Sequence, residues 1–139
     1  MEFYYKNKVK MLKGAKEFLF KLKAEGKKLV LASASDLSIL KFALEHFGLM
    51  HIFDEFFTEQ SIGNAKKEPE FFEKCINALN CSKEDILFFE DAVSSLKSAL
   101  SVGITCCGVV HKLNRHKIKD LDILKIKNYK NIEAKLKSC

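Results

Sequence analysis

The sequence of 139 residues has one proline, Pro69, and no tryptophan. It contains no apolar run approaching the roughly eighteen residues a membrane-spanning helix needs, so no such span is expected. Residues Met1-Glu2-Phe3-Tyr4-Tyr5-Lys6 lack the charged-then-apolar order of a secretory signal. Five cysteines, at 75, 81, 106, 107 and 139, form neither a CxxC pair nor a His-paired spacing. This odd, scattered set argues against a disulfide framework or zinc site, and for reduced thiols in a cytoplasm. Cys106 and Cys107 sit in an apolar run and are expected in the core. Repeats, low-complexity tracts and linkers are also missing, and the length fits one domain with room for a real core.

What is present is a globular balance: 47% hydrophobic residues, 30% charged, and twelve phenylalanines to supply core volume. The net charge of +6 is uneven. Residues 1–110 hold 15 Lys/Arg against 15 Asp/Glu, and residues 111–139 hold 9 against 3. A basic tail can attract a polyanion. With Tyr129 its only aromatic and no RNA-binding motif, it reads better as a solvated Lys-rich face than as a nucleic-acid contact.

The periodicity alternates between helix and strand, the pattern of a parallel sheet covered by helices. Leu12, Ala15, Phe18, Leu19 and Leu22 predict a helix to about Ala24, ended by Gly26. Leu29–Ala32 reads as a short buried strand, followed by a Ser33-Ala34-Ser35 loop and a helix capped by Asp36 and stopped at Gly48. A strand is expected within Ile52–Thr58, then a polar loop over Gln60–Lys67, then a helix from Pro69 to about Leu79. Ile86-Leu87-Phe88-Phe89 predicts a strand buried on both faces. A helix over Ala92–Ser101, a strand over Ile104–Val110, an edge strand near Ile123–Ile126 and a short last helix complete the pattern.

Glu90 and Asp91 follow the Ile86–Phe89 strand directly. In open parallel sheets, ligands bind at the C-terminal strand ends. Ser33 and Lys66 are expected at the same edge. A hydroxyl with main-chain N–H groups, a lysine and a carboxylate pair together suit a phosphoryl group and Mg²⁺. Ser33 would donate to a phosphate oxygen, Lys66 would face phosphate or orient a carboxylate, and Asp91 would ligate the metal with Glu90 beside it. Taken singly, each residue has an ordinary reading: Ser33 as turn chemistry, Lys66 as a surface lysine, and the acidic pair as a helix cap.

Three segments together resemble the haloacid dehalogenase superfamily of phosphohydrolases, in particular its β-phosphoglucomutase and phosphoglycolate phosphatase branch. Leu29-Val30-Leu31-Ala32-Ser33-Ala34-Ser35 resembles the family's phosphate-binding second motif. Ala65-Lys66-Lys67-Glu68-Pro69-Glu70-Phe71-Phe72 resembles the third, and Phe88-Phe89-Glu90-Asp91 the metal-binding fourth. Gly103-Ile104, Gly108-Val109, Phe47-Gly48-Leu49 and Phe53-Asp54 also fit, and the likeness covers roughly residues 9–128. It implies a Rossmann-like α/β core, Mg²⁺ as cofactor held by Glu90 and Asp91, phosphate binding by Ser33, Ala34 and Lys66, and catalytic roles for Lys66 and Asp91. Lys67 stands where the family has proline, and Ser95 where glycine is common.

The larger departure is the first motif, an apolar strand ending in Asp-x-Asp whose first aspartate is the family's nucleophile. The one Asp-x-Asp here, Asp120-Leu121-Asp122, follows Lys117-Ile118-Lys119 in the tail and reads as a surface turn. The expected organisation is therefore a cap-hinge remnant (1–11), an α/β core lacking its first central strand (12–128) and a basic tail (129–139). Loss of that strand is expected to leave unpaired edges or to bring its two neighbours together. The resemblance implies a phosphatase or phosphomutase for a small phosphorylated metabolite such as a sugar phosphate, truncated or split, and inactive without a segment supplying nucleophile and cap. The alternative is a non-catalytic phosphate- and Mg²⁺-binding module that regulates a related enzyme by docking on it.

Overall fold

A computed structural model describes residues 14–130. The expected cap-hinge remnant at 1–11 and residues 131–139 of the expected tail lie outside them. The chain divides into two compact units, one containing residues up to Thr58 together with those from Asn128 onward, the other running from Glu59 to Lys127.

In the first unit, helix α1 (Ala15–Ala24) is followed by strand β1 (Val30–Ser33), helix α2 (Leu37–His46) and strand β2 (Glu55–Thr58). Apolar residues at helical spacing bury Ala15, Phe18 and Leu19 of α1 and Leu40, Ala43 and Leu44 of α2. These helices cover the β1–β2 pair: Leu19, Leu31, Leu40, Leu44, Leu49 and Ile52 share one core. The strands run parallel, with Val30 opposite Glu55 and Ser33 opposite Thr58. Asp54 joins strand and helix. Its carboxylate accepts the Leu29 N–H at 2.8 Å and the Lys23 ammonium at 2.7 Å. The Lys23 bond, then the Leu29 N–H, hold the Asp54 carboxyl below its ordinary range. Gly14 starts α1 at φ 81°, where a Cβ would lie 2.7 Å from the backbone of Tyr129 and of Lys130. Beside it, the Phe18 and Tyr129 rings stack at 5.7 Å.

The second unit contains α3 (Glu59–Ile62), α4 (Pro69–Leu79), β3 (Leu87–Glu90), α5 (Val93–Ser101), β4 (Thr105–Val109), α6 (Arg115–Ile118) and β5 (Leu124–Ile126). The strands form a parallel sheet in the order β3-β4-β5. Pro69 takes the first turn of α4, where its missing N–H costs nothing. That helix buries Phe71, Phe72 and Cys75, and Phe72 meets Phe88 of β3 edge to face at 5.1 Å. Helix α5 lies on β3 and β4 and buries Leu96 and Ala99. Gly108 is required by close approach. A Cβ there would sit 2.5 Å from Cδ1 of Ile118 on α6.

The expected α/β class holds: both sheets are wholly parallel and covered by helices. Three details differ from expectation. The polar stretch expected as a loop begins with the short helix α3, which is only four residues long and shows no apolar period. The strands fall into two sheets, β1 having only β2 as ladder partner and β3 only β4 among the described residues. Finally, β3 is not buried on both faces. Leu87 is 40% exposed, Phe88 and Phe89 are half-buried, and Glu90 is the residue most shielded. An edge strand with one ladder neighbour covers its apolar residues only in part. β5 is an edge strand near the place expected, and no helix follows it among the described residues.

Candidate active site

Lys66 and Glu90 come together inside the second unit. The Lys66 ammonium lies 2.8 Å from Glu90 Oε1, with Lys66 7% exposed and Glu90 2%. It also lies 5.9 Å from the Phe88 ring centre, within cation–π range. A pair this deep has lost the hydration of both charges, so each depends on the other. The second Glu90 oxygen, Oε2, is buried with no hydrogen-bond partner.

The loop carrying Lys66 is fixed from several sides. The Lys66 N–H donates to Glu59 Oε2 at 2.5 Å, and the Ala65 N–H to Glu68 Oε1 at 2.7 Å. Ser98 of α5 donates its hydroxyl to the Lys67 carbonyl. Lys67, where the family has proline, is thus anchored through its main chain, and Ser95 is accommodated in the buried face of α5.

Asp91 follows β3 at its C-terminal end. Because β3 and β4 are parallel, with Glu90 opposite Gly108, the turn after β4 reaches the same end. There His111 Nε2 lies 3.1 Å from Asp91 Oδ2. The Leu113 N–H donates to His111 Nδ1 at 3.1 Å, so Nδ1 carries no proton and Nε2–H is the donor to Asp91. Asn114 donates to the Asp91 carbonyl at 2.8 Å and to the Val109 carbonyl at 2.9 Å.

Ser33 and Ala34 belong to the first unit, at the C-terminal end of β1. Ser33 is buried and accepts the Ser35 N–H at 3.0 Å, a turn bond that still lets its hydroxyl donate elsewhere. Asp120 and Asp122 are exposed in the turn between α6 and β5. Neighbouring thiols are inert: burial pushes Cys75 up to about 12, and burial with the nearby Glu90 charge pushes Cys106 up to about 11.

Glu59, Glu68, His111 and Asn114 are site neighbours that sequence reasoning did not single out. Glu68 alone had a local signal, being the residue before a helix-starting proline. The others lie 7, 20 and 23 residues from the groups they hold, and no short-range pattern reports such contacts.

Both units are parallel α/β layers, one of them with a buried lysine–carboxylate pair at a strand's C-terminal end, and the chain belongs to the haloacid dehalogenase-like hydrolases, whose family pattern matches residues 2–109. It is 32% identical over 102 residues to the phosphorylated carbohydrates phosphatase of Thermotoga maritima, a match covering 73% of this chain and 47% of that protein. The chain thus spans about half the length of that relative. Its fold matches a provisionally assigned β-phosphoglucomutase from Thermotoga maritima with TM-score 0.78 and 29% identity, over 91% of this chain and 59% of that one. It also matches YfnB from Bacillus subtilis, assigned to the same hydrolases and bound to magnesium, with TM-score 0.78 and 18% identity, over 94% of this chain and 56% of that one.

Proposed function

We propose that this chain carries the phosphate- and cation-binding part of a magnesium-dependent phosphoryl-transfer enzyme, a phosphatase or phosphomutase for a small phosphorylated metabolite such as a sugar phosphate. The observation that carries this reading is the buried Lys66–Glu90 pair placed directly before Asp91 at a parallel strand's C-terminal end. Family membership and the carbohydrate-phosphate phosphatase among the relatives support it.

The donor set fits magnesium. Glu90 keeps a buried oxygen without a hydrogen-bond partner, Asp91 adjoins it, and Mg²⁺ is typically held by one or two carboxylates with water and substrate phosphate. Among the described residues no cluster of three metal-ligating side chains forms, so in this reading the remaining ligands come from water, substrate and another segment. Magnesium bound there would draw negative charge from a phosphoryl group. Lys66 holds Glu90 in one orientation and adds positive charge for phosphoryl oxygens. Ser33 donates its hydroxyl, and Ala34 its main-chain N–H, to phosphate.

The nucleophilic aspartate comes, in this reading, from a segment outside these 139 residues, together with the cap that selects substrate. The exposed turn at Asp120 and Asp122 does not serve. A second reading, a non-catalytic phosphate- and Mg²⁺-binding module docking on a related enzyme, rests on that same turn placement.

The test is hydrolysis of p-nitrophenyl phosphate by the purified chain with Mg²⁺, alone and with an added Asp-x-Asp segment. Turnover is expected only with the segment, and Asp91→Asn should abolish it. Turnover by the chain alone that Asp91→Asn removes would refute the need for a partner. No rescue, with phosphate and Mg²⁺ still raising the melting temperature, selects the second reading. No thermal response to either ligand sinks both.

A further inference from the structure

The geometry points to Asn114 as a positioning residue for the candidate cation site, acting through Asp91. This rests on the preceding reading of Glu90 and Asp91 as the cation-binding pair. Asn114 is 7% exposed and its side-chain amide is fully engaged. One proton of Nδ2 goes to the Asp91 carbonyl and the other to the Val109 carbonyl, at 2.8 and 2.9 Å. Its Oδ1 accepts the His111 N–H at 2.8 Å.

An asparagine just before a helix ordinarily turns its side chain onto that helix's free N–H groups. Asn114 immediately precedes α6 and makes no such cap bond. Its hydrogen bonds run instead to the ends of β3 and β4. They fix Asp91 in two ways. The main chain of Asp91 is tied to the end of β4, which sets where its Cα stands. The turn bearing His111 is also closed by Asn114, and His111 donates Nε2–H to Asp91 Oδ2, which sets how the carboxylate is turned. Leaving either carbonyl buried and unpaired would release that main chain. Only an amide fits both needs: aspartate would set an acceptor against two carbonyls, and serine can donate only once.

Partners behind a metal ligand typically change metal affinity by about 10- to 100-fold when removed. Titration calorimetry of the full chain with Mg²⁺, checked by Mn²⁺ electron paramagnetic resonance, should therefore show Asn114→Ala and Asn114→Asp binding about 10- to 100-fold more weakly. Ile52→Val, a truncation in the core of the first unit, should lower the melting temperature and leave cation affinity unchanged. Asn114→Ser, which keeps one donor, should fall between wild type and alanine, and it serves if the alanine variant does not fold. Asn114 variants that melt earlier yet bind Mg²⁺ as the wild type does would overturn the inference. A wild-type chain that binds no divalent cation would overturn the Glu90–Asp91 reading itself and this inference with it.

Discussion

Replacing Lys66 with methionine removes the ammonium facing Glu90 while keeping most of the aliphatic stem. Glu90, 2% exposed, would then have one oxygen newly unpaired and the other already without a hydrogen-bond partner. Breaking one side of a buried ion pair costs about 3–5 kcal/mol. Losing the contact to the Phe88 ring adds about 0.5–1 kcal/mol. Against a total stability of about 5–15 kcal/mol, a loss near 4 kcal/mol, about the low end of that sum, lowers the folding constant by about three orders of magnitude. It lowers the melting temperature by about 14 °C for a chain of this size. Urea unfolding at pH 7 measures this directly, with Glu90→Gln and the double variant completing a cycle. The double variant should recover about 2 kcal/mol relative to the sum of the two singles, because neither charge is then left alone in the interior. A Lys66→Met cost below about 1 kcal/mol, the range of an exposed ion pair, or strict additivity in the cycle, would refute the buried-pair argument.

Asp54→Asn should destabilise the protein at neutral pH. The folded carboxyl of Asp54 is held below its ordinary range, so its stabilisation is fully present above about pH 4. It is lost as pH falls through the lower folded value. Melts from pH 7 downward should show wild type and variant converging only in strong acid. Thiol labelling of the native protein at pH 8 should modify exposed Cys81 quickly and spare Cys75 and Cys106, whose thiols are pushed up to about 12 and about 11; peptide mapping reads the order. Gly108→Ala should cost about 1–3 kcal/mol by urea unfolding, since its Cβ would meet Ile118 at 2.5 Å.

Much of the scaffold was legible because its signals are local. Pro69 opens α4, Asp36 precedes α2, and the apolar faces of α1 and α2 are the buried ones. The Lys66 and Glu90 positions were legible through motif resemblance, and the structure pairs these two side chains. What escaped was non-local. Four apolar residues in a row do not reveal whether a strand is central or at an edge, so the exposure of Leu87 was not foreseen. Glu59–Ile62 is too short for helical periodicity to register. The hold of Asn114 on Asp91 depends on β3 and β4 being parallel neighbours with Glu90 opposite Gly108, a fact of register that residue identity does not encode.

The stacking of Tyr129 on Phe18 and the seat of Gly14 against Tyr129 and Lys130 have a bearing on the timing of folding. The second unit is one uninterrupted stretch, Glu59 to Lys127, whereas the first draws on residues on both sides of it. During synthesis the segment holding Gly14 to Thr58 must therefore wait. Phe18 of α1 cannot stack on Tyr129 until the ribosome has released that residue, by which time the intervening stretch has already been made. A nick or stop just ahead of Asn128 would thus injure a unit whose other residues lie before the break.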